Sequence, residues 1–496
     1  MVKNLKNTSN TKQAFWIALA SLVTFSFGII SAIVLSRYLS KSDYGTYSQV
    51  LFIYSTLLVI FTLGLPKTYT YFLPRIEINQ ARHAIKKITN IFFIIGAIFS
   101  CLLYLSAGLI ADLLRNDELE LAVKVFSPVP FFMLPTLGIE GIFSCYRQAH
   151  LATVYTICTR VLMLLCIILP VILFETTYIG ALIGFTIASF LIFLLALYLK
   201  YLPLKNYGSI KSDLTYKTIF SFSLPLMIAS IWGVIEVSSS QFFISRYFGS
   251  EAFAEYSIGA IELPLVSMVL GATSSVLSPI FSRMAHEKIN LKVEVYPLWN
   301  RVFEKSVMLT YPILAFFIIF SKDIIIILFG EAYIKSAIYF QIFNIYCFFT
   351  IVICGPYLIN TGRHKLYANA HMYSLLFLIP FQFIALELFN SITGLIIVLI
   401  LIKIFRTLFF LKIISNDFGK GFFKTFPMFL IFKVIFISFF IGLSCKFILV
   451  NFLKLNGIYL LILGGIIYLF VYIMITFFMK IDYISLVRPL LSKRIK

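Results

Sequence analysis

Charge is scarce in this 496-residue chain: Asp, Glu, Lys and Arg together make up 12% of it, where an average soluble domain has about 25%. Acid is scarcer still, with 21 Asp and Glu against 41 Lys and Arg. The seven cysteines, Cys101, Cys145, Cys158, Cys166, Cys347, Cys354 and Cys445, fall in or beside apolar runs and form no CxxC pair, which leaves no ligand spacing for a metal. The five histidines form no HExxH pair, and no GxxxxGK[ST] run exists, so the chain carries no phosphate loop for nucleotide hydrolysis. Polar stretches long enough for a separate soluble domain are also missing. No small-residue cleavage site follows the first apolar run, Ala14 to Leu35, which is too long for a signal-peptide core.

What is abundant is apolar surface. Hydrophobic residues make up 60% of the chain, and the mean hydropathy is +0.97. No soluble core absorbs that much, so the excess faces lipid. Spans are expected near 14–36, 46–65, 88–110, 121–143, 153–173, 178–199, 218–244, 256–280, 303–320, 333–359, 368–388, 391–411, 425–448 and 457–479. The reading is an all-α polytopic membrane protein of about fourteen spans, with both termini on one side. Placing that side in the cytoplasm puts most Lys and Arg inside, as the positive-inside rule requires. The inner set includes Arg75, Arg82, Lys86 and Lys87, then Lys200, Lys205, Lys211 and Lys217, and the tail residues Lys480, Arg488, Lys493, Arg494 and Lys496. The acidic loop with Asp112, Asp117, Glu118 and Glu120 falls outside. Topology therefore accounts for the net charge of +20, and no nucleic-acid partner is implied.

The chain also matches itself. Residues 36–48 read SRYLSKSDYGTYS and residues 245–257 read SRYFGSEAFAEYS, a constant offset of 209 without a gap. Ser36, Arg37, Tyr38, Tyr47 and Ser48 recur as Ser245, Arg246, Tyr247, Tyr256 and Ser257. Both segments stand at the outer turn between the first and second span of a six-span unit. An even number of spans gives both units one orientation, so they are expected to be related by an axis along the membrane normal. The expected organisation is a six-helix bundle over 1–210, a second over 211–420, and an addition of two helices and a basic tail over 421–496. Such repeats place a substrate cavity where the halves meet, near the bilayer midplane.

The turn Leu35-Ser-Arg-Tyr-Leu-Ser-Lys-Ser-Asp-Tyr-Gly45 resembles the opening signature of the Wzx-type polysaccharide flippases, within the multidrug/oligosaccharidyl-lipid/polysaccharide exporter superfamily. Thr62-Leu-Gly-Leu-Pro66 leading to Arg75, and Phe222-Ser-Leu-Pro225, are similar to that family's second span and seventh-span opening. The resemblance implies a flippase in the bacterial cytoplasmic membrane. Its substrate would be an undecaprenyl-diphosphate-linked oligosaccharide for O-antigen or capsule-type polysaccharide, moved by alternating access. It implies membrane lipids as surroundings, no cofactor, and leaves a proton or a sodium ion open as the coupling partner. Cation-coupled drug exporters of the same superfamily are the runner-up, because they too carry intramembrane acids. A membrane-embedded polymerase or glycosyltransferase ranks below both, since those enzymes carry a large catalytic outer loop. Here the longest outer connection, Lys322 to Lys335, is short and half apolar. A channel lacks a filter-like loop.

Ionisable residues inside spans cost about 2.5–3.5 kcal/mol on insertion scales and so usually face a cavity or a partner. Glu140 shares a helical face with Ser144 and Arg147, a polar stripe descending to the cytoplasm where a diphosphate would first be met. A structural Glu140–Arg147 ion pair is the alternative. Lys67 lies near the same inner face, and Arg37 and Arg246 stand at the repeated outer turns, where snorkelling to head groups competes with substrate binding. Lys403 lies deep in span twelve, one turn from Arg406. Glu236 and Glu262 are the coupling candidates. At offset 209 Glu236 corresponds to Phe27, so the acid breaks the internal symmetry. It is expected to face the cavity between the halves, whereas Glu262 stands nearer the outer rim.

Overall fold

The computed structural model describes residues 10–286, 295–351, 354–479, 481 and 483. The tail cations from Lys480 onward lie outside the described residues. Every regular element among the described residues is helical, and thirteen helices or helix pairs are long and apolar enough to cross a membrane. Helix α12, twenty-three residues where the eighth span is expected, stands beside those thirteen and is not counted with them. The polytopic all-α architecture read from composition is therefore the fold observed.

The chain forms two compact units, Met1–Ser257 and Ile258–Lys496. The first holds α1 (Asn10–Tyr38), α2 (Lys41–Phe61), α3 (Pro66–Phe72), α4 (Ile78–Leu105), α5 (Ala107–Leu114), α6 (Glu118–Phe126), α7 (Val129–Met133), α8 (Ile139–Cys145), α9 (Ala149–Phe174), α10 (Tyr178–Leu199) and nearly all of α11 (Tyr216–Gly259). The second holds α12 (Pro264–His286), α13 (Tyr296–Ile319), α14 (Ser321–Phe329), α15 (Ser336–Thr350), α16 (Cys354–Asn360), α17 (His364–Phe389), α18 (Ile392–Asp417), α19 (Phe422–Thr425), α20 (Met428–Asn451) and α21 (Gly457–Phe478).

Within the first unit α9 packs between α1 and α10, and α10 continues against α6 and α7. In the second, α13 packs on α20 and α15, and α18 on α17 and α15. The outward faces are apolar. Phe429, Phe436, Phe440 and Phe447 line one exposed side of α20, and Phe470 and Phe477 lie exposed on α21, as lipid contact requires.

The fourth span departs from a single helix. Hydropathy over 121–143 predicts one rod, but the segment is α6, α7, a single turn at Leu134–Thr136, and α8. Pro128, Pro130 and Pro135 each withdraw an amide donor, and Gly138 takes a left-handed conformation at φ 79°. Broken backbone at membrane depth survives only where protein or a water-filled cavity satisfies it. Here it forms a cavity wall.

The repeated turns share a local geometry. Helix α1 ends at Tyr38 and α2 starts at Lys41, with Ser40 capping its N-terminus by accepting from the Asp43 amide at 3.0 Å. At the corresponding place α11 breaks at Gly249, where φ is 80° and ψ −175°. Ser40 and Gly249 are the same position at offset 209. The two turns also dock on each other. Lys41 Nζ meets Glu255 Oε1 at 2.5 Å, Ser42 Oγ lies 2.9 Å from Ser250 Oγ, and Gln49 Nε2 donates to Ser245 Oγ at 2.7 Å. Further along, Thr56 Oγ1 lies 2.8 Å from Ser238 Oγ. Paired numbers rise on one helix as they fall on the other, so α2 runs antiparallel along α11. Asn116 extends the network, donating to Gln49 Oε1 at 2.7 Å and to Thr46 Oγ1 at 3.1 Å.

Candidate functional site

The broken fourth span opens a cavity of about 400 Å³ inside the first unit. Its wall is assembled from four stretches: Pro66, Lys67 and Thr70 of α3; Thr136 to Gly141 around the start of α8; Tyr155, Thr156, Thr159, Arg160 and Met163 of α9; and Ile192 of α10. Lys67, Glu140 and Arg160 are its charged members, and all three are exposed to the opening. Thr156 Oγ1 donates to Glu140 Oε1 at 2.7 Å. That bond fixes the carboxylate on α8 against the N-terminal third of α9. Two cations, one carboxylate and several hydroxyls thus face a single space, with one net positive charge.

Gly138 makes the wall possible. Its positive φ strains any residue with a side chain, and a Cβ there would lie 2.7 Å from Cε2 of the Tyr69 ring. Tyr69 is fully buried and bonds Thr89 Oγ1 at 3.1 Å, so the ring cannot swing aside freely.

Expected site residues divide on this geometry. Lys67 and Glu140 come together in the cavity, as two of the residues proposed to meet substrate. The uninterrupted stripe from Glu140 through Ser144 to Arg147 does not exist. Helix α8 ends at Cys145, and Arg147 turns to φ 55° in the connection to α9, exposed and away from the cavity lining. Glu140 takes its hydrogen bond from Thr156 in place of Arg147. Arg37 lies exposed in the last turn of α1, where a cation complements the helix dipole. Arg246 Nη1 donates to the Leu113 carbonyl near the end of α5, which ties the second repeated turn to its neighbour.

Glu236 is buried in α11 at 2% exposure. It stands two residues from Ser238, and successive helical positions are about 100° apart, so it points away from the face that meets α2. Glu262, expected near the outer rim within span eight, is exposed, but in the non-helical link Ile261–Leu263 that precedes the helix. Pro264 sets that break, since a residue before proline avoids helical backbone. Lys403 belongs to the second unit, with Nζ 5.4 Å from the Tyr346 ring centre.

Two residues escaped the sequence reading. Arg160 lies in the middle of the apolar run 153–173, the same signal that singled out Glu140. Lys200, counted among the cytoplasmic basic residues, is fully buried. Its Nζ donates to the Pro135 carbonyl, to Tyr69 OH at 3.2 Å and to Thr89 Oγ1 at 3.3 Å.

A family model described as polysaccharide biosynthesis protein matches residues 34–338, which include both repeated turns and the whole cavity. The chain belongs to that family. No curated protein matches the chain. Among solved structures, the fold is similar to a lipid II flippase, MurJ, in an inward closed conformation. The TM-score is 0.72 and the identity 14%, over 94% of this chain and 98% of that one. An inward-facing multidrug-resistance transporter of the MATE family and MOP superfamily matches with a TM-score of 0.63 at 13% identity, over 82% and 99% of the two chains. A MOP-superfamily transporter from Pyrococcus furiosus matches with a TM-score of 0.58 at 12% identity, over 83% and 96%. At these identities the likeness establishes a shared fold. The chain is thus a multi-pass membrane protein of a polysaccharide-biosynthesis family, built on the fold of this transporter superfamily.

Proposed function

We propose that this protein is a flippase that carries a polyprenyl-diphosphate-linked oligosaccharide across the cytoplasmic membrane for surface-polysaccharide synthesis. The observation that carries the reading is the cavity bearing Lys67 and Arg160 in a member of this family. A diphosphate cannot cross hydrocarbon unaided, because a buried, unpaired charge is very costly. An ammonium and a guanidinium offset that cost, the guanidinium as a planar fork suited to phosphate oxygens. Threonine hydroxyls and the Tyr155 ring beside them suit a polar sugar. Glu140 keeps the empty cavity near neutrality, so a dianionic head group gains from entering without leaving two bare cations behind when it departs. Both termini are placed in the cytoplasm, an undecaprenyl-type chain is the carrier, and Glu236 is the coupling group.

The test is complementation in a bacterium lacking its own surface-polysaccharide flippase, with the exported polymer measured alongside membrane abundance. Wild-type protein is expected to restore export, and Lys67→Ala or Arg160→Ala to lose it while remaining in the membrane. Full export by the double variant would refute the reading, and resistance to cationic drugs without restored polymer would favour drug export.

A further inference from the structure

The cavity wall at Leu134–Gly138 is broken backbone, and one buried side chain holds it. Lys200 follows the last residue of α10 and has no exposed surface. Its three acceptors come from three separate elements: Pro135 O from the broken wall, Tyr69 OH from α3 and Thr89 Oγ1 from α4. An ammonium carries three N–H donors, and three acceptors match it, while a neutral amine offers only two. The faces of Tyr69 and Phe92 lie 5.1 and 5.8 Å from Nζ and complete the enclosure. No carboxylate contacts Lys200 among the described residues. The titratable groups nearby are Tyr69 of α3 and Tyr201. Arg82 of α4 covers the Tyr201 ring at 5.7 Å, and the Cys145 thiol of α8 points to the Tyr69 carbonyl at 3.9 Å.

The arrangement links the proton on Lys200 to the shape of the cavity. Pro135 adjoins Thr136 and Leu137 of the lining, and Tyr69 packs on Gly138 next in line. A missing third donor frees one anchor of that wall. We propose that Lys200 is the positioning residue of the substrate cavity, a protonated clamp that holds the Leu134–Gly138 wall against α3 and α4 and releases it when the proton leaves. The clamp gives the transporter a proton-dependent step without a carboxylate, and it rests on the flippase reading of the cavity.

The experiment places a single cysteine at Leu137 in an otherwise cysteine-free chain and follows its alkylation by a neutral maleimide in detergent from pH 6 to 9.5. The rate of the same maleimide with free N-acetylcysteine at each pH corrects for the thiolate fraction. The corrected rate at Leu137→Cys is expected to climb roughly tenfold across that range, the factor that corresponds to losing one hydrogen bond from a charged donor. Lys200→Met is expected to give the high rate at every pH, and Tyr201→Phe, which lies outside the clamp, to keep the climb. A flat wild-type profile overturns the proposal, as does a climb that persists in Lys200→Met or vanishes in Tyr201→Phe. Size-exclusion elution checks that Lys200→Met is folded, and the wild-type profile decides the question if it is not. Labelling reports on the wall alone, so a clamp confirmed in a chain whose Lys67→Ala and Arg160→Ala variants export normally would sink the flippase reading and not the clamp.

Discussion

Replacing Gly45 by alanine sets two effects of opposite sign against each other. Gly45 lies inside α2, where alanine is the better helix former by about 1 kcal/mol. Propensity alone therefore predicts stabilisation. The docked turns predict the reverse. A Cβ at Gly45 would stand 2.5 Å from the Ser250 carbonyl carbon and 3.1 Å from its Cα, and would press on the carbonyl oxygen. These are main-chain atoms and cannot rotate away. Ordinary contact begins near 3.4 Å, and the carbonyl oxygen stands closer than the carbon, so α2 and α11 must part by more than about 1 Å at this point. That motion takes the 2.9 Å Ser42–Ser250 and 2.7 Å Gln49–Ser245 bonds beyond hydrogen-bonding range and opens the Lys41–Glu255 pair. Three such contacts at about 1 kcal/mol each outweigh the propensity gain. The Phe52 and Phe253 rings, 5.6 Å apart, lose packing as well. The net expectation is a loss of about 2 kcal/mol. The assay is the apparent thermal midpoint of detergent-purified protein, compared between variants. Adding Ser250→Gly to Gly45→Ala should restore nothing, because the clash is with backbone. A midpoint at or above wild type in Gly45→Ala would refute the docking.

Further outcomes follow from the cavity and the buried acid. Arg160→Ala is expected to cut polysaccharide export at least tenfold, and Arg147→Ala less than Arg160→Ala, since Arg147 stands off the lining; equal losses in both would remove the cavity from the argument. Lys67→Arg should export more than Lys67→Ala, because a cation suffices there, and the ratio of the two polymer yields checks it. Gly138→Ala combines a left-handed backbone penalty of about 1–2 kcal/mol with displacement of Tyr69, so export should fall without loss of membrane insertion; unchanged export would refute the role of the wall. Glu236→Gln keeps shape and hydrogen bonding while removing the charge, and normal, equally pH-dependent export in that variant would exclude Glu236 from coupling.

The all-α, many-span architecture was legible because a membrane imposes it: about twenty apolar residues are needed for each crossing, whatever the helices later touch. The repeated turn was legible for a different reason. Ser-Arg-Tyr followed by Tyr-Ser at a fixed offset is a pattern within one sequence, and the structure places a helix break at the same step of each copy, Ser40 and Gly249. What the repeat could not reveal is that its copies touch. The departures from symmetry carry that information. Thr46 becomes Glu255, which takes Lys41, and Gly45 becomes Ala254 because only the first copy must admit a neighbour's backbone. Internal symmetry identifies the scaffold, and the broken positions mark where one copy meets the other.

Charge was the harder signal, because the sequence gives it a place along the chain but not a neighbour. Glu140 stood out by lying in an apolar span, yet its assigned partner was seven residues away on an imagined continuous helix. Hydropathy averages over Pro128, Pro130, Pro135 and Gly138, and so hides the breaks that send Arg147 out of line and bring Thr156 in. Arg160 satisfied the same criterion as Glu140 and needed only equal treatment. Lys200 is different in kind. At the end of an apolar span, beside Lys205 and Lys211, a lysine reads as a topological anchor in water. Burying it takes α3, α4 and the broken wall arriving together from positions 69, 89 and 135, none of which advertises a need for a cation. Neutral acceptors leave no charge pattern to detect. A cation held by carboxylates can be anticipated from complementary charge, whereas one held by a carbonyl, a phenol and a hydroxyl becomes visible only when the fold has brought them together.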